Sequence, residues 1–301
     1  MKNAIRSSLL FCLGLTGPAV AQTAQDGFYS NGYAELSYFD FGGSGRTFGY
    51  SEATIGYVDA DSGFGAELGV DALITTDDDE AALYGAVTYQ SSFGKLSFGV
   101  PRGALDTYFA SVPTVGGMLP FKIGQIGAAK RSFVTATYLF SIDEVPLGLR
   151  YDGSFGTTTV GASYHRFDDL DVYNLAANHQ FGQTMVSGGL EHVADTTARE
   201  TRYFLGVETT LGQVSAGLLY SGNIDFSDTT AVEAYAKYKP LEQLELAATA
   251  LNLATGSGSD TLFGLSADYS FNQGAYLKAG IADDFDTGTG TAYNLALGLR
   301  F

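Results

Sequence analysis

The chain alternates between apolar and polar side chains in runs of about ten residues, separated by short breaks. In the first run, Ala34, Leu36 and Tyr38 occupy one face while Glu35 and Ser37 occupy the other. Successive side chains of a strand point to opposite faces, so this period of two predicts β-strands. We count sixteen such runs between the N-terminal segment and the last residue.

The breaks between the runs also alternate in length. Residues 92–94 and 211–213 have the composition of tight turns, whereas residues 168–171 and 283–290 form longer polar breaks, and residues 42–45 form a glycine-rich loop. Short turns at one rim and longer loops at the other are typical of membrane-spanning barrels. A soluble β-sandwich would also alternate, but the apolar faces carry almost no charge. We therefore predict an all-β fold, a sixteen-stranded antiparallel transmembrane β-barrel.

The longest break covers residues 101–145 and follows the fifth predicted strand. Connections of more than about 15 residues without regular structure are unusual unless they are functional. Pro113, Gly116, Gly117 and Pro120 fit a segment that turns several times within a confined space. We predict that this third loop folds into the barrel and narrows its pore.

Residues 132–142, inside the third loop, could form a seventeenth strand. The two chain ends would then lie at opposite rims, and closure would need a parallel pair of strands. Single-chain bacterial barrels have an even number of strands. We therefore assign this segment to the loop, while its local structure, strand or otherwise, stays open.

The N-terminal segment has the features of a secretory signal. Lys2 and Arg6 precede an apolar stretch at residues 9–15, and small residues end at Ala21. The apolar stretch is too short to anchor the chain by spanning a bilayer. Cys12, the only cysteine, lies in this segment without a small residue before it, which argues against a lipoprotein site. We predict a signal peptide at 1–21 and one barrel domain at 22–301.

The formal net charge of −17 becomes −19 when Lys2 and Arg6 are removed with the signal. Such a charge argues against nucleic-acid binding, which requires a basic surface. It suits an acidic rim or a lumen that attracts cations. Beyond the signal, the chain has no run of about 18 apolar residues, so the sequence predicts no transmembrane helix.

Three segments, taken in order, resemble the general diffusion porins of the Gram-negative outer membrane, most closely the sixteen-stranded alphaproteobacterial type. They are the last strand, 293–301, which ends in Phe301; residues 93–99 followed by 104–106; and residues 149–152 followed by 155–156. The resemblance implies an outer-membrane homotrimer in contact with lipid and lipopolysaccharide. It also implies that the barrel-insertion machinery reads Phe301, and that the third loop sets the size limit for small hydrophilic solutes.

Two alternatives to passive diffusion use the same scaffold. One is a substrate-selective channel, and the other is a surface-binding or adhesive barrel without a useful pore. An enzyme is disfavoured because nucleophilic catalysis needs a nucleophile beside a base. Strand parity places His165 inward, but it directs His179 and His192 toward lipid or the rim, and no nucleophile-elbow motif is present. We predict no cofactor.

A pore selects by its radius and by the charges that line it. The candidate lining residues are charged groups at inward strand positions and in the third loop. On the strands they are Glu35, Glu52, Glu67, Asp71, Lys95, Arg150 and Lys278. In the loop they are Arg102, Asp106, Lys122, Lys130 and Arg131.

The porins that this chain resembles usually carry basic residues on the wall and acidic ones on the third loop. Here the early strands are acidic and the loop contains four cations. We hypothesise a transverse field of reversed or mixed sign, with Glu35, Glu52, Glu67 and Asp71 facing the cations of the loop. Such a pore would have a mild cation preference. Alternatively, many of these side chains lie solvated above or below the constriction.

Acidic loops could bind Ca²⁺, which prefers oxygen ligands. The candidates are residues 77–80 and 283–286. Neither has the spacing of an EF-hand loop, so a solvated acidic rim is the favoured interpretation and a structural Ca²⁺ ion is the alternative.

Overall fold

The computed structural model describes residues 27–75, 79–109, 112–123, 131–140, 144–195, 199–224, 228–284 and 290–301. The predicted signal peptide lies outside these residues. Sixteen antiparallel strands close into one barrel, in which each strand pairs with its neighbours in sequence and the first pairs with the last. The predicted fold class is therefore confirmed.

The first eight strands are β1 (Gly27–Phe41), β2 (Ser44–Val58), β3 (Phe64–Ile74), β4 (Asp79–Ser91), β5 (Gly94–Val100), β6 (Leu147–Phe155), β7 (Thr158–Arg166) and β8 (Asp171–Phe181). The other eight are β9 (Thr184–Ala194), β10 (Arg199–Leu211), β11 (Val214–Gly222), β12 (Thr230–Leu241), β13 (Leu244–Thr255), β14 (Gly258–Ser270), β15 (Ala275–Asp284) and β16 (Ala292–Arg300). The described part of the connection between β5 and β6 contains three short helices, namely α1 (Leu105–Tyr108), α2 (Leu119–Ile123) and α3 (Phe133–Phe140). There are 3₁₀ turns at Val115–Gly117 and Asn272–Gly274. Within the described ranges, no helix has the length and apolar character needed to cross a membrane.

The barrel closes where β1 meets β16, with Tyr33 opposite Arg300. Gly32 and Phe301 complete this seam by exchanging two backbone hydrogen bonds, of 2.9 and 3.0 Å. Closure removes the unpaired strand edges that an open sheet would expose. It also satisfies the backbone polar groups within the sheet, as a lipid environment requires.

Side chains alternate between the two faces of the wall. Leu68, Leu83 and Phe98 point outward and are exposed, whereas Asp71 and Glu35 point inward and are buried. The outer face therefore forms the apolar belt that lipid covers in a transmembrane barrel. The inner face carries the charged residues of the strands.

Seven short connections lie at one end of the barrel, the turn rim, and eight lie at the other, the loop rim. The loop rim is less uniform than the alternation of breaks suggests, because residues 42–43 and 256–257 are two-residue connections. Gly42 and Gly43 both have positive φ, at 62° and 86°, and positive φ at both central residues permits a tight hairpin turn. Ser44 and Gly45 consequently belong to β2 rather than to a loop.

The third loop covers residues 101–146 and folds into the barrel. Its α1 packs on β8 and β9, its 3₁₀ turn on β13 to β16, and its α3 on β4. The ambiguous segment 132–142 contains α3 and is not a strand where it is described. The physical reason is that β5 pairs directly with β6, with Lys95 opposite Asp152, so no strand edge is open to it.

Three apolar clusters hold the loop against the inner wall. The α3 cluster consists of Tyr50, Leu73, Ala82, Tyr84, Leu119, Val134, Tyr138, Leu139, Phe167, Val172 and Val193. The tip cluster consists of Val115, Met118, Ile224, Ala231, Leu251, Ala282 and Ala292. The α1 cluster consists of Leu105, Tyr108, Phe109, Ala176, Phe204 and Leu219. Each cluster combines loop and wall residues, so burial of apolar surface fixes the loop at three places.

The 3₁₀ turn approaches the wall closely at two glycines. A Cβ atom on Gly264 would lie 2.1 Å from Gly116 N, and a Cβ on Gly280 would lie 1.7 Å from Gly116 O. Both distances are below van der Waals contact with backbone atoms, which cannot rotate away as a side chain can. Only glycine at these positions lets the tip of the loop reach the wall.

We expect Gly280→Ala to displace the tip and to destabilise the folded protein by about 1–3 kcal/mol, the usual cost of overpacking. The measurement is the free energy of unfolding by denaturant in lipid vesicles. Gly206→Ala is the matched control, because it is also an inward glycine beneath the loop and its Cβ would meet its nearest neighbour at 3.5 Å. Equal stability of the two variants would contradict the close approach.

Candidate pore constriction

A cavity of about 1000 Å³ opens toward the turn rim, between the inner faces of β1 to β8 and the start of the third loop. Four tyrosines line it, namely Tyr29, Tyr33, Tyr84 and Tyr108. Its charged lining consists of Glu52, Glu67, Asp106, Asp152, Lys95, Arg102 and Arg150. This part of the lumen is therefore polar and of mixed charge.

Arg102 joins the beginning of the loop to β3. Its Nη1 lies 2.5 Å from Oδ1 of the buried Asp71, and its Nη2 donates to the carbonyl oxygens of Ala53 and Val70 at 3.1 and 3.2 Å. Burial acts to lower the pKa of Arg102, but the negative charges of Asp71 and Glu52 outweigh it and raise the pKa. Arg102 therefore stays charged while it is bound to the wall.

Arg131 forms a second link, from the later part of the loop to β2 and β3. Its Nη2 donates to the Tyr50 hydroxyl at 3.0 Å and lies 3.4 Å from Oε2 of Glu52. The same nitrogen is 4.0 Å from Oδ2 of Asp71. Burial opposes the charge on Arg131, but these acidic neighbours raise its pKa above the usual value.

Asp106 ties the two halves of the loop together. Its carboxylate accepts a hydrogen bond from Ser132 N at 2.7 Å and another from the Thr135 hydroxyl. Burial raises the pKa of Asp106, while Arg131 and these two hydrogen bonds act in the opposite direction. Helix α1 is thereby fixed to the start of α3.

A buried network on β9 and β10 anchors the other side of the loop. Glu191 accepts from Ser132 Oγ at 2.5 Å and from Phe133 N, at the start of α3, at 2.9 Å. Arg202 pairs with Glu191 and donates to Arg131 O at 3.1 Å. Glu191 and Arg202 were not assigned to the site from the sequence, although the alternation of β9 and β10 places both on the inner face. Their register, directly opposite each other on paired strands, is a signal that could have identified them.

Two of the predicted carboxylates pair with lysines of the wall rather than with the loop. Glu35 lies 2.5 Å from Nζ of Lys278, and Glu67 lies 2.5 Å from Nζ of Lys95. Each also accepts a hydrogen bond from a tyrosine hydroxyl, Tyr276 for Glu35 and Tyr29 for Glu67. Among the loop cations whose side chains are described, the hypothesised contacts are therefore made to Asp71 and Glu52 and not to Glu35 or Glu67.

The remaining candidates have different surroundings. Arg150 binds Asp152 through Nε and Nη2, at 2.8 and 2.6 Å, and also donates to the carbonyl oxygen of Gly103. Lys122 lies in α2, but its side chain is outside the described part, and Lys130 lies outside the described residues.

The two arginines that line the cavity are less accessible than two of its carboxylates. The Glu52 and Asp152 side chains are 31% and 24% exposed, against 15% for Arg102 and 12% for Arg150. The guanidinium groups are engaged with carboxylates and backbone carbonyls. Glu52 and Asp152 are therefore more accessible from the cavity than Arg102 and Arg150.

His165, the inward histidine, supports the loop. Its side chain is buried, and Nε2 donates to Pro101 O at 2.8 Å, where the loop begins. Among the residues that can be described, no group of three or more histidine, cysteine, aspartate or glutamate side chains has an arrangement that could hold a metal ion. Parts of both acidic loops considered for Ca²⁺ lie outside the described residues.

Comparison with known proteins gives a consistent result. A family model described as "Gram-negative porin" matches residues 8–289. No curated protein sequence matches the chain. A porin structure refined at 1.8 Å resolution is similar with a TM-score of 0.66 and 19% identity, and the match covers 91% of this chain and 100% of that one. A triple mutant of the Rhodopseudomonas blastica porin is similar with a TM-score of 0.70 and 16% identity, and this match also covers 91% of this chain and 100% of that one. At these identities, the structural matches show the fold.

We expect Asp71→Asn to lower the free energy of unfolding by about 3–5 kcal/mol, because it leaves the Arg102 guanidinium buried without its counterion. Denaturant titration in lipid vesicles measures this loss. The exposed pair of Lys239 and Glu245, 3.1 Å apart, provides the control, for which Glu245→Gln should cost no more than about 1 kcal/mol. A loss for Asp71→Asn as small as that of the control would show that the link to β3 does not hold the loop.

Proposed function

Because this chain belongs to the Gram-negative porin family, we propose that its outer-membrane channel passes small hydrophilic solutes and ions by passive diffusion, with a mild preference for cations. The observation that carries the proposal is the polar, water-accessible cavity inside a closed barrel, bounded by the third loop. A pore of this kind selects by radius and lining charge. The role is that of a channel, without an enzymatic step or a cofactor.

The orientation follows from the two rims. Short turns of outer-membrane barrels face the periplasm and longer loops face the outside, so the turn rim and its cavity are periplasmic in this proposal. The exposed apolar belt between the rims contacts lipid, and lipopolysaccharide covers it in the outer leaflet. Phe301 directly follows β16 and completes the seam with Gly32. This position suits its proposed recognition by the barrel-insertion machinery. We also propose a homotrimer, as the family resemblance implies.

The cation preference rests on two features of charge. The cavity presents four carboxylates and three cations, and the carboxylates Glu52 and Asp152 are more exposed than Arg102 and Arg150. The loop rim adds acidic residues, including Asp168 and Asp169 in the connection between β7 and β8. Negative charge at a mouth and in a lumen raises the local concentration of cations.

We expect the purified protein to produce a large, steady conductance in planar lipid bilayers, because the proposal requires a permanently water-filled path. Single-channel recording in KCl measures it, with heat-denatured protein as the control. If one class of solute blocks the steady current, the result would favour a substrate-selective channel. Absence of conductance would contradict the proposal and favour an adhesive barrel.

We expect the reversal potential across a KCl gradient to indicate a mild cation preference. Glu52→Gln should reduce this preference, because the Glu52 side chain is 31% exposed, more than those of Asp152 and Glu67, which also line the cavity. Glu242→Gln is the matched control, since it removes the same charge from an exposed turn outside the cavity. Anion preference of the unchanged protein, or equal effects of the two substitutions, would contradict this account of selectivity.

A further inference from the structure

The guanidinium group of Arg102 is bound to the wall of the cavity through both of its terminal nitrogens. Nη1 is paired with Asp71 at 2.5 Å, and Nη2 donates to the carbonyl oxygens of Ala53 and Val70. Gly69 permits this close approach, because a Cβ atom there would lie 3.3 Å from Nη2. These contacts lie in the plane of the guanidinium, so they fix its edge against the wall and leave its two faces for other groups.

A tyrosine ring covers one face of this guanidinium. Cζ of Arg102 lies over the ring of Tyr84, 4.3 Å from its centroid, which is within the range of a cation–π contact. Tyr84 is itself fixed, because its hydroxyl donates to Asp71 Oδ2 at 3.3 Å and its ring meets that of Tyr138 edge-on at 5.5 Å. The guanidinium is therefore held in one orientation before any solute arrives.

The surface of Arg102 that remains accessible belongs to the cavity. The side chain is 15% exposed and lines the cavity. Because Tyr84 covers one face and the wall binds both terminal nitrogens, the accessible part consists of the opposite face and the Nε edge. A guanidinium face is planar and delocalised, and an aromatic ring can stack on it.

An accessible carboxylate lies beside this face in the same cavity. Arg102 Nη2 is 3.1 Å from the carbonyl oxygen of Ala53, which directly follows Glu52 in the chain, and Glu52 also lines the cavity. The Glu52 side chain is 31% exposed, and its contact with Arg131 involves Oε2 at 3.4 Å. An ionised carboxylate has about four lone-pair sites, so Glu52 can accept a further donor from a solute. The cavity therefore offers a stacking face and a charged acceptor at one place.

We propose that Arg102 and Glu52 form a subsite for uncharged heteroaromatic rings that carry an N–H donor edge, the chemistry of nucleobases. The ring stacks on the accessible guanidinium face, and its donor edge binds the Glu52 carboxylate through a charge-assisted hydrogen bond. A ring without donors makes only the first contact, and a donor without a ring makes only the second. The inference rests on the proposed diffusion function and specifies which class of admitted solute the cavity retains.

The test measures binding to the purified full-length protein in detergent micelles by ligand-detected NMR, with 2-aminopyrimidine as the probe. Pyrimidine has the ring without the donor, and acetamide has the donor without the ring. We expect 2-aminopyrimidine to bind with a dissociation constant at least about fivefold lower than that of either comparison compound, because it alone makes both contacts. Equal affinity of the three compounds overturns the proposal.

Glu52→Gln removes the negative charge while it keeps the shape of the side chain, so we expect it to weaken the binding of 2-aminopyrimidine about threefold or more. The affinity for pyrimidine should not change. Glu67→Gln is the matched control, because the same substitution falls on another carboxylate of the same cavity, one that is bound to Lys95 and Tyr29. Equal effects of the two substitutions overturn the assignment of Glu52.

Arg102→Lys keeps a positive charge opposite Asp71 but removes the planar face, so we expect it to weaken the binding of both rings about twofold or more and to leave acetamide unaffected. Arg150→Lys is the matched control, because the same substitution falls on the β6 wall of the same cavity. Equal effects of these two substitutions on ring binding overturn the stacking contact.

Heat-dependent gel mobility reports whether each variant folds, and the comparison of the three probes on the unchanged protein needs no variant. Conductance of the same preparation in planar bilayers separates the subsite from the proposed function. Failure of the proposed function appears as absence of conductance, whereas steady conductance without a preference for 2-aminopyrimidine overturns the subsite alone.

Discussion

The structure depends on one constraint, that every backbone polar group of the wall must find its partner within the sheet. In an apolar environment an unsatisfied amide or carbonyl is costly, and a closed antiparallel barrel satisfies them all. The seam between β1 and β16, completed by Gly32 and Phe301, meets this requirement. Closure then dictates the rest: one face must be apolar, the other encloses a lumen, and the long connection after β5 finds no free edge on which to become a strand.

The third loop is held by two kinds of interaction with different consequences. The apolar clusters supply the burial that favours its inward position. The ion pairs of Arg102 with Asp71 and of Arg202 with Glu191 fix the position of the loop more than they stabilise the fold. The reason is that desolvation offsets most of the Coulombic gain of a buried pair. In the observed arrangement, Arg102 of the loop reaches Asp71, and Ser132 and Phe133 N of the loop reach Glu191. The same contacts that shape the constriction therefore keep its arginines away from the water in the lumen.

This arrangement gives the channel its chemical character. The described arginines of the loop and Arg150 of the wall are engaged with carboxylates and carbonyl oxygens. Glu52 and Asp152 are the more exposed members of their ion pairs with Arg131 and Arg150. The chemistry of the cavity thus depends on where the loop is anchored.

The sequence by itself determined the strands, their number and the inward or outward direction of each side chain, since a period of two follows directly from the geometry of an extended backbone. It also located the third loop and the inward carboxylates. Only the tertiary structure decided which charges meet. Arg102 binds Asp71 across 31 positions, and Lys278 binds Glu35 across 243 positions, where closure brings the two ends of the chain together. The helical state of α3 and the anchoring role of Glu191 were decided in the same way. Both depend on the space and the partners inside the closed wall, which the local alternation of side chains does not specify.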